Sequence, residues 1–355
     1  MRKNLPRRFI IFVTTKCNLC CKHCFFSSFL NNQYPDITPE DIKKIFANYP
    51  RRLENVIFTG GEPFLNKSLS EIILSTPSKT INVVTNGYCP ALIIETTEKI
   101  LNRLKRIDSI GICVSLDGPE DVHNRIRGME NSYKKALETY SRLKELERKY
   151  PRLTVGLGAA ISDINVGYLE AMAKAAWDKG EEFAFQLVRS VNQSGLPMHL
   201  RNAIFLPDER SILPDGFIDK IRSQLPLIQK IYLKNFLLAI KHKKSNILKS
   251  AINHVVSLGL LKVILMTIKY KKRILPCKAG FDTAVIYPNL DVALCEFMRP
   301  FSNLGDYNFD LSSLLLSNNA GRLRKIVKRC FCAHTCFVNF NKYDVRRLTA
   351  ALWKI

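Results

Sequence analysis

Strand-length apolar runs alternating with helical patterns along the first half of the chain predict an α/β fold with a parallel sheet, a partial (β/α)6 TIM-like barrel. Six such runs, rich in β-branched residues, fall between about residues 8 and 190. Several end in glycine and polar residues, as strands do at the mouth of a β/α barrel. Six units in place of eight leave the barrel open on one side. The alternation stops near residue 190. From there a basic, mostly helical segment is expected over 191–275, and a small cysteine-rich β-hairpin and helix extension over 276–355. At 355 residues and 46% hydrophobic, the chain can bury a large core and hold one main domain with a smaller addition.

The first strand is the run at 9–13. It leads into Thr14-Thr15-Lys16-Cys17-Asn18-Leu19-Cys20-Cys21-Lys22-His23-Cys24-Phe25. Cys17, Cys21 and Cys24, spaced C-x3-C-x2-C, can hold three corners of a cubane iron–sulfur cluster, whose full ligation takes four cysteines. Three ligands leave one iron open to a small molecule, as a catalytic zinc site keeps one position free. Zinc is the competing reading, because Cys17 with Cys20 and Cys21 with Cys24 each make a C-x2-C pair. So short a loop is poorly suited to wrapping a tetrahedral ion. Disulfides suit neither the odd count of eleven cysteines nor a chain with no expected signal peptide.

A helix over 39–48 separates this loop from Val56-Ile57-Phe58-Thr59-Gly60-Gly61-Glu62-Pro63, a buried strand and a tight turn. Two glycines allow close backbone approach to a ligand, and Glu62 brings a carboxylate. The next runs, 81–87 and 109–118, end in Asn86-Gly87 and Ser115-Leu116-Asp117-Gly118. Each alone reads as a strand-ending turn; together they place polar tips on one rim. A helix follows over 132–150, with Tyr133, Leu137, Tyr140, Leu143 and Leu146 on its apolar stripe. Strand 153–161, helix 165–179 and strand 182–188 complete the six units. Apolar stretches such as 155–160 read as barrel core.

The cysteine motif, with His23 where an aromatic residue is usual, resembles that of radical S-adenosylmethionine (SAM) enzymes. The resemblance implies that Cys17, Cys21 and Cys24 ligate a [4Fe-4S] cluster whose open iron is chelated by SAM. Gly60-Gly61-Glu62 is similar to the family's GGE motif, which contacts the methionine amino group. Asn86, Ser115 and Asp117 stand where the family's third and fourth strand ends line the cofactor. His123-Asn124-Arg125-Ile126-Arg127-Gly128 resembles the family's loop after strand four. Arg127 is the expected partner of the methionine carboxylate, since a guanidinium can clamp a carboxylate bidentately; a surface ion pair is the plainer alternative.

Residues 215–273 are strongly basic and rich in Leu and Ile. The apolar stretch at 255–268 contains Lys262 and falls short of the roughly 20 residues a bilayer span needs. A solvated basic face is expected, with peripheral contact to an acidic membrane or partner as the alternative. Further on, Cys277 and Cys295 bracket a hairpin over 284–287 and 292–294. Cys330, Cys332 and Cys336 follow as C-x-C-x3-C. The layout resembles the SPASM and twitch extensions of the same family. That implies one auxiliary [4Fe-4S] cluster held by Cys277, Cys295, Cys332 and Cys336, with Cys330 the spare candidate; zinc competes here too. Leu290 stands where those extensions usually carry glycine, and Gly305-Asp306 resembles the segment after their hairpin. Cys89 and Cys113 read as ordinary buried thiols.

The net charge of +23 favours an anionic partner, and no nucleic-acid-binding module is recognisable. Open-iron chemistry implies a cytoplasmic setting and a reductant such as flavodoxin or ferredoxin. The leading expectation is a radical SAM oxidoreductase or maturase acting on a peptidyl or anionic small-molecule substrate. A zinc-stabilised basic nucleic-acid-binding protein and an iron–sulfur electron carrier without SAM cleavage are the alternatives.

Overall fold

The computed structural model describes residues 5–105, 107–188, 197–204, 216–241, 259, 261–267, 269–270, 275 and 277–330. Six parallel strands run β1 (Arg8–Phe12), β2 (Leu53–Thr59), β3 (Ser78–Thr85), β4 (Ser109–Ser115), β5 (Leu153–Ile161) and β6 (Ala184–Leu187). Each lies beside its predecessor, and the helices α1 (Pro39–Ala47), α2 (Leu69–Ser75), α3 (Pro90–Arg103), α4 (Glu120–Arg127), α5 (Ser132–Lys149) and α6 (Leu169–Trp177) fall between them. This is the expected incomplete parallel barrel.

Side chains alternate along the strands, as the two-residue pleat requires. In β4, Ile110, Ile112 and Val114 are buried, whereas Gly111, Cys113 and Ser115 on the other face are only half-buried. In β5 the buried set is Val155, Leu157 and Ala159, opposite half-buried Gly156, Gly158 and Ala160. The run at 155–160 is therefore core on one face only. Its other face carries small residues because Gly158 stands over Cys113: a Cβ there would meet the Cys113 Sγ at 2.7 Å.

Two features differ from the sequence reading. The segment after β4 is helix, not loop. Glu120 and Asp121 lie in the first turn of α4 and Arg125 and Arg127 in its last, as the helix dipole favours. Gly128 ends it in the left-handed conformation. The C-terminal hairpin, β7 (Thr283–Ile286) and β8 (Asp291–Ala293), forms as expected, yet it belongs to the same sheet. β7 pairs in parallel with β1, Phe9 opposite Ala284 and Ile11 opposite Ile286. With β9 (Ser302–Asn303) the order becomes β6-β5-β4-β3-β2-β1-β7-β8-β9. Val285, Ile286, Val292 and Leu294, wholly buried, share one core with the barrel.

A second core joins α6 to α8 (Phe217–Ser223) and α9 (Leu225–Lys241), after the short α7 (Met198–Ile204). Leu261 and Leu265 pack into it while Lys262 faces solvent. No described helix is long and apolar enough to cross a membrane.

Candidate functional site

The cysteine loop leaves β1 at the C-terminal rim and is held in place by backbone from three sides. Val13 N–H donates to Thr59 O at 2.9 Å, Gly61 N–H to Thr14 O at 2.9 Å, and Glu62 N–H to Lys16 O at 2.8 Å. From α4, the carbonyls of Arg127 and Ile126 accept from Cys20 N–H at 3.3 Å and Lys22 N–H at 2.8 Å. Asn31, itself at φ +56°, brackets Cys17: its Oδ1 accepts from Cys17 N–H at 2.9 Å and its Nδ2 donates to Cys17 O at 3.2 Å.

Gly60 and Gly61 make this approach feasible. A Cβ on Gly61 would lie 2.1 Å from Lys16 O, and one on Gly60, at φ +148°, 2.4 Å from Thr14 O. Their closest neighbour is thus the cysteine loop's own backbone. Gly128 has the same duty on the far side, where a Cβ would lie 2.6 Å from Cys20 O.

Glu62 is 2% exposed. Its Oε1 accepts from Thr85 Oγ1 at 2.8 Å and its Oε2 from Asn86 N–H at 2.8 Å. Burial nevertheless pushes its carboxyl up to about 7. Asn86 donates through Nδ2 to Asn18 Oδ1 at 2.9 Å, tying β3 to the cysteine loop. Asn18 Nδ2 in turn donates to Cys89 Sγ at 3.2 Å, so Cys89 borders the site. Cys113, expected to be buried, is half-buried in β4, and desolvation pushes its thiol up to about 11.

The structure puts Arg127 and Asp117 to an unforeseen use. Asp117 is fully buried. Its Oδ2 accepts from Arg127 Nε at 2.7 Å and lies 2.5 Å from Nη2, and its Oδ1 accepts from Ala160 N–H at 2.9 Å. Arg127, 8% exposed, reaches Cys21 Sγ with Nη1 at 3.7 Å. The pair is buried, not a surface bridge, and its guanidinium faces the cysteines through Cys21. Burial alone would raise the Asp117 carboxyl, but Arg127 beside it holds it below its ordinary value. Asp117 N–H also donates to His123 Nδ1 at 3.1 Å, so His123 braces this turn. Ser115 ends β4 opposite Gly158 of β5.

The donor set suits a cluster that needs three thiolates and one open position. Cys21 is 9% exposed while Cys17 and Cys24 are half-buried. Burial pushes the Cys17 thiol up to about 11 and raises that of Cys21, while Arg127 lowers both; a bound cluster would favour the thiolates that ligation demands. Among the described residues His23 Nδ1 is buried without a hydrogen-bond partner, and burial lowers that imidazole to about 4. Among the described residues no three Cys, His, Asp or Glu side chains converge at the spacing of a single metal ion.

Residues 11–176 match the family model described as the radical SAM superfamily. The chain carries a radical SAM domain. Over 148 residues it is 25% identical to the sporulation killing factor maturation protein SkfB of Bacillus subtilis, covering 40% of this chain and 33% of that protein. Over 163 residues it is 28% identical to an Fe-coproporphyrin III synthase of Methanosarcina barkeri, covering 45% and 38%. The match thus spans 33% of one relative and 38% of the other. A solved structure described as native anSMEcpe with bound AdoMet and Cp18Cys peptide superposes with a TM-score of 0.59 at 16% identity, covering 96% of this chain and 87% of that one. The radical SAM domain contains Cys17, Cys21, Cys24, Glu62, Asp117 and Arg127.

Of the second cysteine group, Cys277, Cys295 and Cys330 are 8%, 7% and 6% exposed within one core. Cys330, the spare candidate of the sequence reading, therefore lies buried with the other two, while Cys332 and Cys336 lie outside the described residues. Sequence reasoning missed Thr85, Asn18, Asn31 and Ala160. None has a motif of its own, because each acts through a contact across the fold.

Proposed function

We propose that the chain is a radical SAM enzyme whose cluster is held by Cys17, Cys21 and Cys24 and whose substrate is peptidyl, with an anionic small molecule as the alternative. The observation that carries this reading is the three-cysteine loop at the strand ends, framed by Glu62 on one side and Arg127 on the other. When bound, a [4Fe-4S] cluster supplies an electron and SAM a 5′-deoxyadenosyl radical that removes hydrogen from the substrate. Glu62, once ionised, and the neighbouring Gly60 and Gly61 suit the amino group of SAM. Asn86 and Ser115 line the remaining strand ends. His23, beside Cys24, would pack against the cofactor. Arg127, held by Asp117 through Nε and Nη2, would add positive charge at Cys21 and near the methionine carboxylate.

Cys277 and Cys295, with two of Cys330, Cys332 and Cys336, would hold one auxiliary [4Fe-4S] cluster. The catalytic unit corresponds to residues 1–190, the basic segment to 191–275 and the auxiliary unit, whose hairpin extends the catalytic sheet, to 276–355. The reductant is a small cytoplasmic electron carrier such as flavodoxin or ferredoxin, attracted by the +23 charge. The names of SkfB and of the peptide-bound solved structure support the peptide reading; that of the coproporphyrin synthase supports the small molecule.

The test is anaerobic reconstitution with iron and sulfide, reduction with dithionite, and assay for 5′-deoxyadenosine from SAM. The wild type should form it and a Cys17/Cys21/Cys24→Ala variant should not. Clusters without product in the wild type would favour an electron carrier, and zinc in place of iron would end the enzyme reading.

A further inference from the structure

A cavity of about 310 Å³ opens between the cysteine loop and the β7–β8 turn, lined by Phe26, Phe29, Tyr34, Tyr287, Asp291 and Arg299 among others. Its aromatic wall is ordered. Phe26 stacks on Phe29 with centroids 5.1 Å apart and planes at 17°, and on Tyr287 at 6.0 Å and 12°. Tyr34 is 43% exposed at the rim.

Two charges line the cavity, and they are not equivalent. The Asp291 carboxylate is turned into the hairpin: Oδ2 accepts from Asn289 Nδ2 at 2.7 Å and Oδ1 from Asn303 Nδ2 at 2.8 Å. Arg299 is exposed, and among the described residues its guanidinium makes no ion pair. Phe26 and Tyr287, 3% and 5% exposed, back the wall, so the cavity offers the exposed parts of Phe29 and Tyr34 and one cation. A volume at the lower end of ligand cavities admits one ring-bearing side chain with its flanking backbone. Phe26 stands two residues after Cys24, so an occupant here touches the segment that carries the proposed cluster ligands.

We propose that this cavity anchors an aromatic side chain of an acidic peptide, with a carboxylate next to that side chain meeting Arg299. The proposal rests on the peptide reading above and identifies the kind of peptide: one in which an aromatic residue is flanked by Asp or Glu. Packing against Phe29 and Tyr34 and a charge-assisted hydrogen bond at the rim supply the selectivity.

The test titrates the reconstituted protein with acetyl-Glu-Phe-Glu-amide, acetyl-Glu-Ala-Glu-amide and acetyl-Lys-Phe-Lys-amide, following binding by saturation-transfer NMR. The first should bind at least about tenfold tighter than either other peptide, a difference of about 1.4 kcal/mol. Arg299→Glu, a change at an exposed position that leaves the core intact, should remove that preference and turn it toward the lysine peptide. Equal binding of all three peptides, no binding of any, or a preference unchanged in Arg299→Glu overturns the proposal. 5′-Deoxyadenosine formation by the same wild-type preparation reports separately on the radical reading. Peptide selectivity without product sinks that reading and leaves the cavity as an acidic-peptide site; product without selectivity does the reverse.

Discussion

Arg127 lies between Asp117 and Cys21, its Nε 2.7 Å from the carboxylate and its Nη1 3.7 Å from the sulfur. Ten residues separate the pair in sequence, with one at the end of a strand and the other in the last turn of a helix. Both are buried, so neither is exchangeable with solvent, and the orientation of α4 against the cysteine loop is tied to this contact.

Removing one partner leaves the other as an uncompensated buried charge. Asp117→Ala should therefore cost about 3–5 kcal/mol of stability, read as a lower urea midpoint with the slope unchanged. The double variant with Arg127→Ala should lose less than the sum of the two single changes. Additive losses would show that the two residues act separately.

Gly61→Ala should displace the cysteine loop, because its methyl would fall 2.1 Å from Lys16 O. Backbone has to move, at an expected cost of about 1–3 kcal/mol. Iron bound after reconstitution should drop with the melting temperature. Normal iron content with normal stability would show that the turn relaxes freely.

Burial raises the Glu62 carboxyl to about 7, above its value in the unfolded chain. The folded state then binds more protons between about pH 4.5 and 7, and this group's contribution to stability falls as pH rises through that window. SAM affinity should move oppositely, growing as the carboxylate forms near pH 7 to meet the ammonium. Glu62→Gln should flatten both profiles. A SAM affinity that stays independent of pH in the wild type would exclude the carboxylate–ammonium contact.

For His123 the sign is reversed. Burial lowers it to about 4, below its unfolded value near 6.5. The folded state binds fewer protons between those limits, so stability is lost as pH falls from 6.5 toward 4. His123→Asn should lose less stability than the wild type over that range in urea titrations. Identical acid profiles would refute the assignment.

Leu290 occupies the left-handed region at φ +67°, in the turn between β7 and β8, with its side chain half-buried against the core. Glycine and alanine here both lose the packing, but only alanine keeps the backbone cost. Leu290→Gly should therefore be about 1 kcal/mol more stable than Leu290→Ala. Equal stabilities would mean the turn relaxes out of that conformation.

The sequence by itself determined the six-unit parallel series, the cysteine loop at its first strand end and the acidic Gly-Gly turn at its second. Each is written in adjacent residues: the period of apolar side chains selects strand or helix, and short spacings set which thiols share a loop. It also singled out Leu290 as a residue in a glycine's place. Only the tertiary structure decided that 120–127 is a helix ending against Cys20, that Arg127 is spent on Asp117 and Cys21, and that β7 extends the barrel sheet beside β1. It alone decided that Cys330 is buried with Cys277 and Cys295, and that Phe26, Phe29 and Tyr287 form one wall. These relationships join residues from 3 to more than 270 positions apart. Periodicity states which face of an element is apolar; which partner covers that face depends on how all the elements pack at once.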